Sequence, residues 1–168
     1  MTGKHVAEAL PEHLRALRRY ALGLTRDPDA AEDLVQDSLA RAIAAADRWQ
    51  PDGDLRAWLF SILHNAHVSS RRKAKVRRDA VADLPEPVAP PRQVDRVALR
   101  QVLDALARVP EPQRQPIILV ALEERSYAEA ARILKLPLGT FMSRLGRGRA
   151  ALRRLLGELK GSTPRLVG

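Results

Sequence analysis

The chain has 168 residues, 45% of them apolar and only 4% aromatic, with no cysteine and a net charge of +9. That length allows one ordinary domain or two small ones; the scarcity of aromatics argues against an all-β sandwich, and the lack of cysteine excludes a disulfide framework and a thiolate metal site. The basic balance, with a pI near 10.9, points to a polyanionic partner, most often nucleic acid, with a solvated Arg-rich surface as the alternative.

No apolar run approaches the roughly 18–20 residues that span a bilayer. The opening "MTGKHVAEALPEHL" lacks the apolar core of a signal peptide, so a soluble, cytoplasmic protein without membrane insertion is expected. Leu14, Leu17, Ala21 and Leu24 recur at helical spacing. In "TRDPDAAED", Pro28 suits a first helical turn and Asp27 or Asp29 can cap the exposed amides. Leu34, Ser38, Leu39 and Ala42 follow on one face. Five carboxylates fall between Asp27 and Asp37. Asp33, Gln36 and Asp37 share a face at i, i+3, i+4. This unpaired acidic face either awaits a basic partner or is a solvated helix start, where acids suit the dipole.

"WQPDGD" is a turn cluster, after which Leu55, Trp58, Leu59, Ile62 and Leu63 form another apolar stripe. Trp49 and Trp58 read as core rather than as base-stacking platforms. His64 and His67 stand at i, i+3 with no third ligand at suitable spacing, so no metal site is expected. The stripe runs into "SSRRKAKVRR". Six of the eight residues from Arg71 to Arg78 are basic, which suits a phosphate backbone.

Residues 79–95, "DAVADLPEPVAPPRQVD", hold four prolines and four acidic residues against one arginine. They read as an extended, semi-rigid linker between lobes 1–78 and 96–168. The first lobe carries 14 basic and 10 acidic side chains (+4), the linker 1 and 4 (−3), and the second lobe 14 and 6 (+8). The acidic strap is either a solvated linker or a segment that lies in a partner's basic channel.

In the second lobe Val97, Leu99, Val102, Leu103 and Leu106 mark a helix ending near Val109-Pro110, and "EPQRQPIILVAL" starts the next. "SYAE" is a capping box, Ser126 capping forward and Glu129 reaching back. Ala130, Ala131, Ile133 and Leu134 make a short helix, "KLPLG" a turn, and a second helix runs from about Leu138 to Leu159. Thr140, Ser143, Arg144, Arg147 and Arg149 lie on its first half. Two such helices make a helix-turn-helix whose second member enters the major groove. There arginine reads guanine and hydroxyls bind phosphates or bases. The alternative is an αα-hairpin with a solvated Arg face. The turn often needs a left-handed residue at its first position; here that is Lys135, at a cost on the order of 1 kcal/mol. No period-two alternation survives, so the expected fold is all-α in two small bundles. With no Ser/His/Asp arrangement, P-loop or Gly-rich phosphate loop, neither catalytic residues nor a cofactor is expected, and the chain reads as a non-enzyme.

Three segments in order then resemble the extracytoplasmic-function (ECF) sigma factors of bacterial RNA polymerase, over about residues 12–158. "DAAEDLVQDSLARA" resembles the σ2 helix that docks on the polymerase β′ clamp. "LRAWLFSILHNAHVSSRRK" resembles the σ2 segment that melts and reads the −10 element. "SYAEAARILKLPLGTFMSRLGRGRAAL" resembles the σ4 helix-turn-helix that reads the −35 element. The resemblance implies that Asp33, Gln36 and Asp37 bind the clamp. It implies that the loop Gln50–Leu55, with Asp52, Asp54 and Leu55, captures a flipped −10 base. Trp58 and Asn65 would meet the −10 strand, and Arg71, Arg72 and Lys73 its backbone. Thr140, Ser143, Arg144, Arg147 and Arg149 would read the −35 element. The implied partners are core polymerase (β′ clamp and β flap), promoter DNA and an anti-sigma factor. The rivals are a sigma-like decoy that binds an anti-sigma factor but not DNA, and a helix-turn-helix regulator acting without polymerase. Three residues depart from the family pattern. Met142 stands where Lys or Arg is common, and Gly146 and Gly148 stand where larger residues or Ala are common. Each glycine is expected to loosen the helix by up to about 1 kcal/mol.

Overall fold

The computed structural model describes residues 2–78 and 97–161; the strap expected at 79–95 lies outside them. Among the described residues there are helices and turns and no strand. The described residues fall into two compact units, residues 2–78 with 132–135 and residues 97–131 with 136–161.

The first unit holds α1 (Thr2–Thr25), α2 (Pro28–Ala44), a 3-10 turn at Ala46–Arg48 and α3 (Leu55–Arg78). α1 begins well before the Leu14–Leu24 pattern and continues through Pro11, which faces solvent while Val6 and Leu10 carry the buried stripe past it. The α1–α2 corner turns on Arg26, left-handed at φ 58°, with its N–H bonded to the Leu22 carbonyl at 2.8 Å. Of the two candidate caps the chain uses Asp27, whose Oδ1 accepts from the Asp29 N–H at 2.9 Å, with Pro28 in the first turn. That satisfies one of the donors every helix start leaves open.

The three helices pack on one another and bury Leu17, Tyr20, Leu34, Val35, Leu59, Phe60 and Leu63. Tyr20 meets Phe60 edge-on at 5.2 Å between ring centroids and 77° between planes, the favoured aromatic geometry. Arg18 clasps Glu32 with two hydrogen bonds of 3.0 and 3.1 Å from α1 to α2. Those hydrogen bonds, with the adjacent guanidinium charge, hold the Glu32 carboxyl below its ordinary pKa.

The second unit holds α4 (Val97–Arg108), α5 (Glu111–Ile117), a π turn at Ile118–Leu122, α7 (Leu138–Gly161) and, up to Ala131, α6 (Tyr127–Ile133). α4 ends at Arg108, just before Val109-Pro110 as expected, and the carbonyls at its end are gathered by a buried guanidinium. Arg114, 2% exposed, donates through Nη1 to Val109 O at 2.8 Å and Ala107 O at 3.3 Å. A buried cation is tolerable only when hydrogen-bonded in this way. α4 and α5 both pack on α7, burying Leu106, Ile117, Ile118, Leu119, Phe141, Leu145 and Leu155.

Gly148 has a packing role that the expectation of a loosened helix did not include. A Cβ on it would lie 2.5 Å from Gln113 O and 2.9 Å from Ile117 Cδ1. The missing side chain is what lets α5 lie against α7. Gly146 is different: a Cβ there meets nothing within 4 Å, so at that position the conformational cost of glycine is not offset by packing.

Candidate nucleic-acid interface

The helix-turn-helix is assembled by local chemistry at each joint. The Glu129 N–H donates to Ser126 Oγ at 3.2 Å and the Ser126 N–H to Glu129 Oε2 at 3.1 Å, the reciprocal capping box. α6 closes with Leu136 N–H to Ala131 O at 2.9 Å and Lys135 N–H to Arg132 O at 3.1 Å. This pair of bonds is the Schellman arrangement. Lys135 is left-handed at φ 54°, as the turn requires. Pro137 then leads into α7, its carbonyl accepting from the Phe141 N–H at 3.0 Å.

α7 presents its predicted residues unequally. Phe141, Leu145 and Gly148 are buried and define its inward face. Ser143 and Arg147, one turn apart, are exposed on the opposite side. Thr140 is exposed and Arg144 half-buried on one flank. Arg149 is exposed on the other flank and tethered there: its Nη1 donates to the Tyr127 hydroxyl at 3.2 Å and its guanidinium stands 6.0 Å from that ring's centroid. Tyr127 in turn packs against Phe141 at 6.0 Å. Sequence reasoning missed Tyr127, because only the docking of α6 on α7 brings it to Arg149. Met142, a departure from the family pattern, is exposed, as helical periodicity from Phe141 and Leu145 requires.

In the first unit Asp33, Gln36 and Asp37 are all exposed on α2. The expectation that this face is unpaired is corrected at one position: Asp37 Oδ2 accepts from Arg41 Nε at 3.0 Å. Asp33 makes no ion pair among the described residues. An exposed i, i+4 pair contributes about 0.3–0.5 kcal/mol, little enough for a cationic partner to displace.

The turn before α3 is closed by Gly53 N–H to Gln50 O at 2.9 Å. Asp54 caps α3, its Oδ1 accepting from the Ala57 N–H at 3.0 Å, while Asp52 is exposed. Leu55, Trp58 and Asn65 are half-buried along the helix. So is Trp49, whose indole N–H is buried without a hydrogen-bond partner. Arg71, Arg72 and Lys73 are exposed at the far end of α3, followed by Lys75 and Arg77. The loop and the basic cluster thus stand at opposite ends of one helix. His64 and His67 are buried. Among the described residues no group of three His, Cys, Asp or Glu is placed to hold a metal ion, and no helix is long and apolar enough to cross a membrane.

Residues 10–64 match the family described as the Sigma2 domain of PhyR, and residues 99–152 match Sigma-70, region 4. The ECF RNA polymerase sigma factor EcfG of Rhodopseudomonas palustris is 39% identical over 146 residues, covering 84% of this chain and 79% of that protein. The ECF RNA polymerase sigma factor SigM of Mycobacterium tuberculosis is 36% identical over 151 residues, covering 88% and 74%. Among solved structures, the sigma factor RpoE in complex with the anti-sigma factor NepR from Bartonella quintana superposes with a TM-score of 0.78 at 36% identity, over 92% of this chain and 98% of that one. CnrH in complex with the cytosolic domain of CnrY gives a TM-score of 0.65 at 28% identity, over 92% and 89%. The chain belongs to the ECF sigma factors of bacterial RNA polymerase.

Proposed function

We propose that this chain binds core RNA polymerase, brings it to promoters by their −35 and −10 elements, and helps open the −10 duplex. One observation carries the proposal: an exposed acidic helix face in the first unit and an exposed basic helix-turn-helix in the second belong to one chain of this family. In this reading residues 1–78 form the σ2 domain, 79–95 the linker and 96–168 the σ4 domain. Asp33, Gln36 and Asp37 meet the basic surface of the β′ clamp, and the β flap is a further contact. Asp52, Asp54, Leu55, Trp58 and Asn65 serve the −10 strand, and Arg71, Arg72 and Lys73 its phosphates. Thr140, Ser143, Arg144 and Arg147 face the −35 groove, with Arg149 at its edge. Extruding a base costs a few kcal/mol, which the polymerase contacts offset. The chain performs no covalent step and acts in the cytoplasm with the polymerase. An anti-sigma factor holds it inactive, as the complexes of RpoE with NepR and of CnrH with CnrY suggest.

A second reading has one observation in its favour. The first unit matches a domain of PhyR, described in its own complex with NepR as an anti-anti-sigma factor. A decoy of that kind needs no DNA-reading surface, and the exposed Ser143 and Arg147 speak for the sigma-factor reading.

Run-off transcription with purified core polymerase on a pool of genomic promoters decides between them. The expected result is a defined set of transcripts, reduced by Arg147→Ala and by Asp33→Ala. Binding to an anti-sigma factor or to core without any transcript would favour the decoy. Binding to duplex DNA without affinity for core would leave a plain helix-turn-helix regulator.

A further inference from the structure

Met142 occupies a distinctive place on α7. It is 50% exposed, and Leu138, one turn before it, is 48% exposed. At 100° per residue both lie on the Arg149 flank of the helix, with Met142 adjoining Ser143 and Leu138 one turn farther from the Ser143/Arg147 side. The next position along the same line, Gly146, has no side chain, and neither there nor at Gly139 does an added Cβ meet anything within 4 Å. An uncharged, polarizable side chain therefore stands on the open face of the helix, unscreened by the following turn, beside groups that hydrogen-bond phosphates and bases. Methionine donates no hydrogen bond and cannot read guanine as arginine does. It is flexible and suited to apolar contact. In the major groove the apolar group that marks one base is the 5-methyl of thymine.

We propose that Met142 is a specificity-determining residue that contacts a thymine 5-methyl group in the −35 element, with Leu138 as the second apolar wall. The inference rests on the reading of α7 as the −35 helix, and its test separates the two. The promoter found by run-off transcription is rebuilt with each upstream thymine replaced in turn by deoxyuridine, which removes only the methyl. Binding and transcription are measured with holoenzyme carrying the full chain. One replacement is expected to weaken the wild type about three- to fivefold, the worth of one buried methyl group. Met142→Ala, whose site is exposed and whose folding is checked by its melting curve, is expected to bind more weakly and to ignore that replacement. Met142→Lys is expected to ignore it as well, while making binding more sensitive to salt. The proposal is overturned if no thymine matters to the wild type, if the upstream element contains none, or if Met142→Ala keeps the same sensitivity. It is equally overturned if Met142→Ala loses only the grip of an anti-sigma factor. If no transcript forms at all, the sigma-factor reading itself fails first.

Discussion

Gly148 on α7 and the Gln113 carbonyl on α5 stand so close that a single added methyl would lie 2.5 Å from the oxygen. Gly146, two residues away, has open space around it. The same substitution is therefore expected to have opposite effects. Gly148→Ala must push α5 away and should destabilise the protein by about 1–3 kcal/mol, the usual cost of overpacking. Gly146→Ala should stabilise it by about 0.5–1 kcal/mol through helix propensity. Urea unfolding of the two variants, followed by circular dichroism, checks both signs.

Lys135 holds a left-handed conformation, φ 54°, that a side chain disfavours by on the order of 1 kcal/mol. Lys135→Gly is expected to raise stability by up to that amount while leaving the Leu136-to-Ala131 closing bond in place. Lys135→Val should do the reverse, since a branched Cβ tolerates positive φ least. Thermal melts of the two variants give the answer.

His13 has its pKa lowered from the ordinary 6.5, first by burial and next by the Arg56 guanidinium, with Glu12 and Asp54 opposing more weakly. As pH falls below 6.5 the unfolded chain takes up a proton that the folded chain resists. Stability is thus expected to fall with pH in that window. His13→Gln should flatten this part of the profile and leave stability above pH 7 little changed. Denaturation midpoints across the range from pH 5 to 8 measure it.

Arg71, Arg72 and Lys73 stand exposed on the last part of α3, and their proposed partners are phosphates. Replacing any one by alanine is expected to weaken promoter binding by holoenzyme on every sequence alike. It should also lower the slope of log affinity against log salt by about 0.7–0.9. A loss confined to certain −10 sequences, with an unchanged slope, would assign that residue to bases instead.

The helix joints were legible in the sequence because they are local. Asp27-Pro28, the Ser126/Glu129 box and the Lys135 turn each involve residues within a few positions of one another, and all three formed as read. The extension of α1 through Pro11 was not legible, since proline is a poor marker once its unbonded side faces solvent. The π turn at Ile118–Leu122 carries no composition of its own. Tertiary approach escaped altogether: neither the Gly148 contact nor the Tyr127–Arg149 pair can be seen without knowing which helices touch. Of the candidate site, the exposed residues on α2 followed from their i, i+3, i+4 spacing, whereas the five on α7 divide between two flanks, with Arg144 half-buried. The Asp37–Arg41 bond was within reach of the same i, i+4 rule and was overlooked.

α3 is one unbroken helix of 24 residues, anchored by Leu59, Phe60 and Leu63 in the first unit's core. Asp54 precedes it, and Arg72 lies near its far end. At 1.5 Å per residue the two are about 27 Å apart along the helix axis. A helix of this kind works as a ruler. In the proposed reading, DNA that engages the loop at Asp54 offers its phosphates to the basic cluster at that fixed interval, and the helix has no break between them to absorb a change. Within the −10 region, then, a one-base insertion should be tolerated far less well than a base change, because a substitution forfeits one contact and an insertion forces a choice between the two ends of the helix.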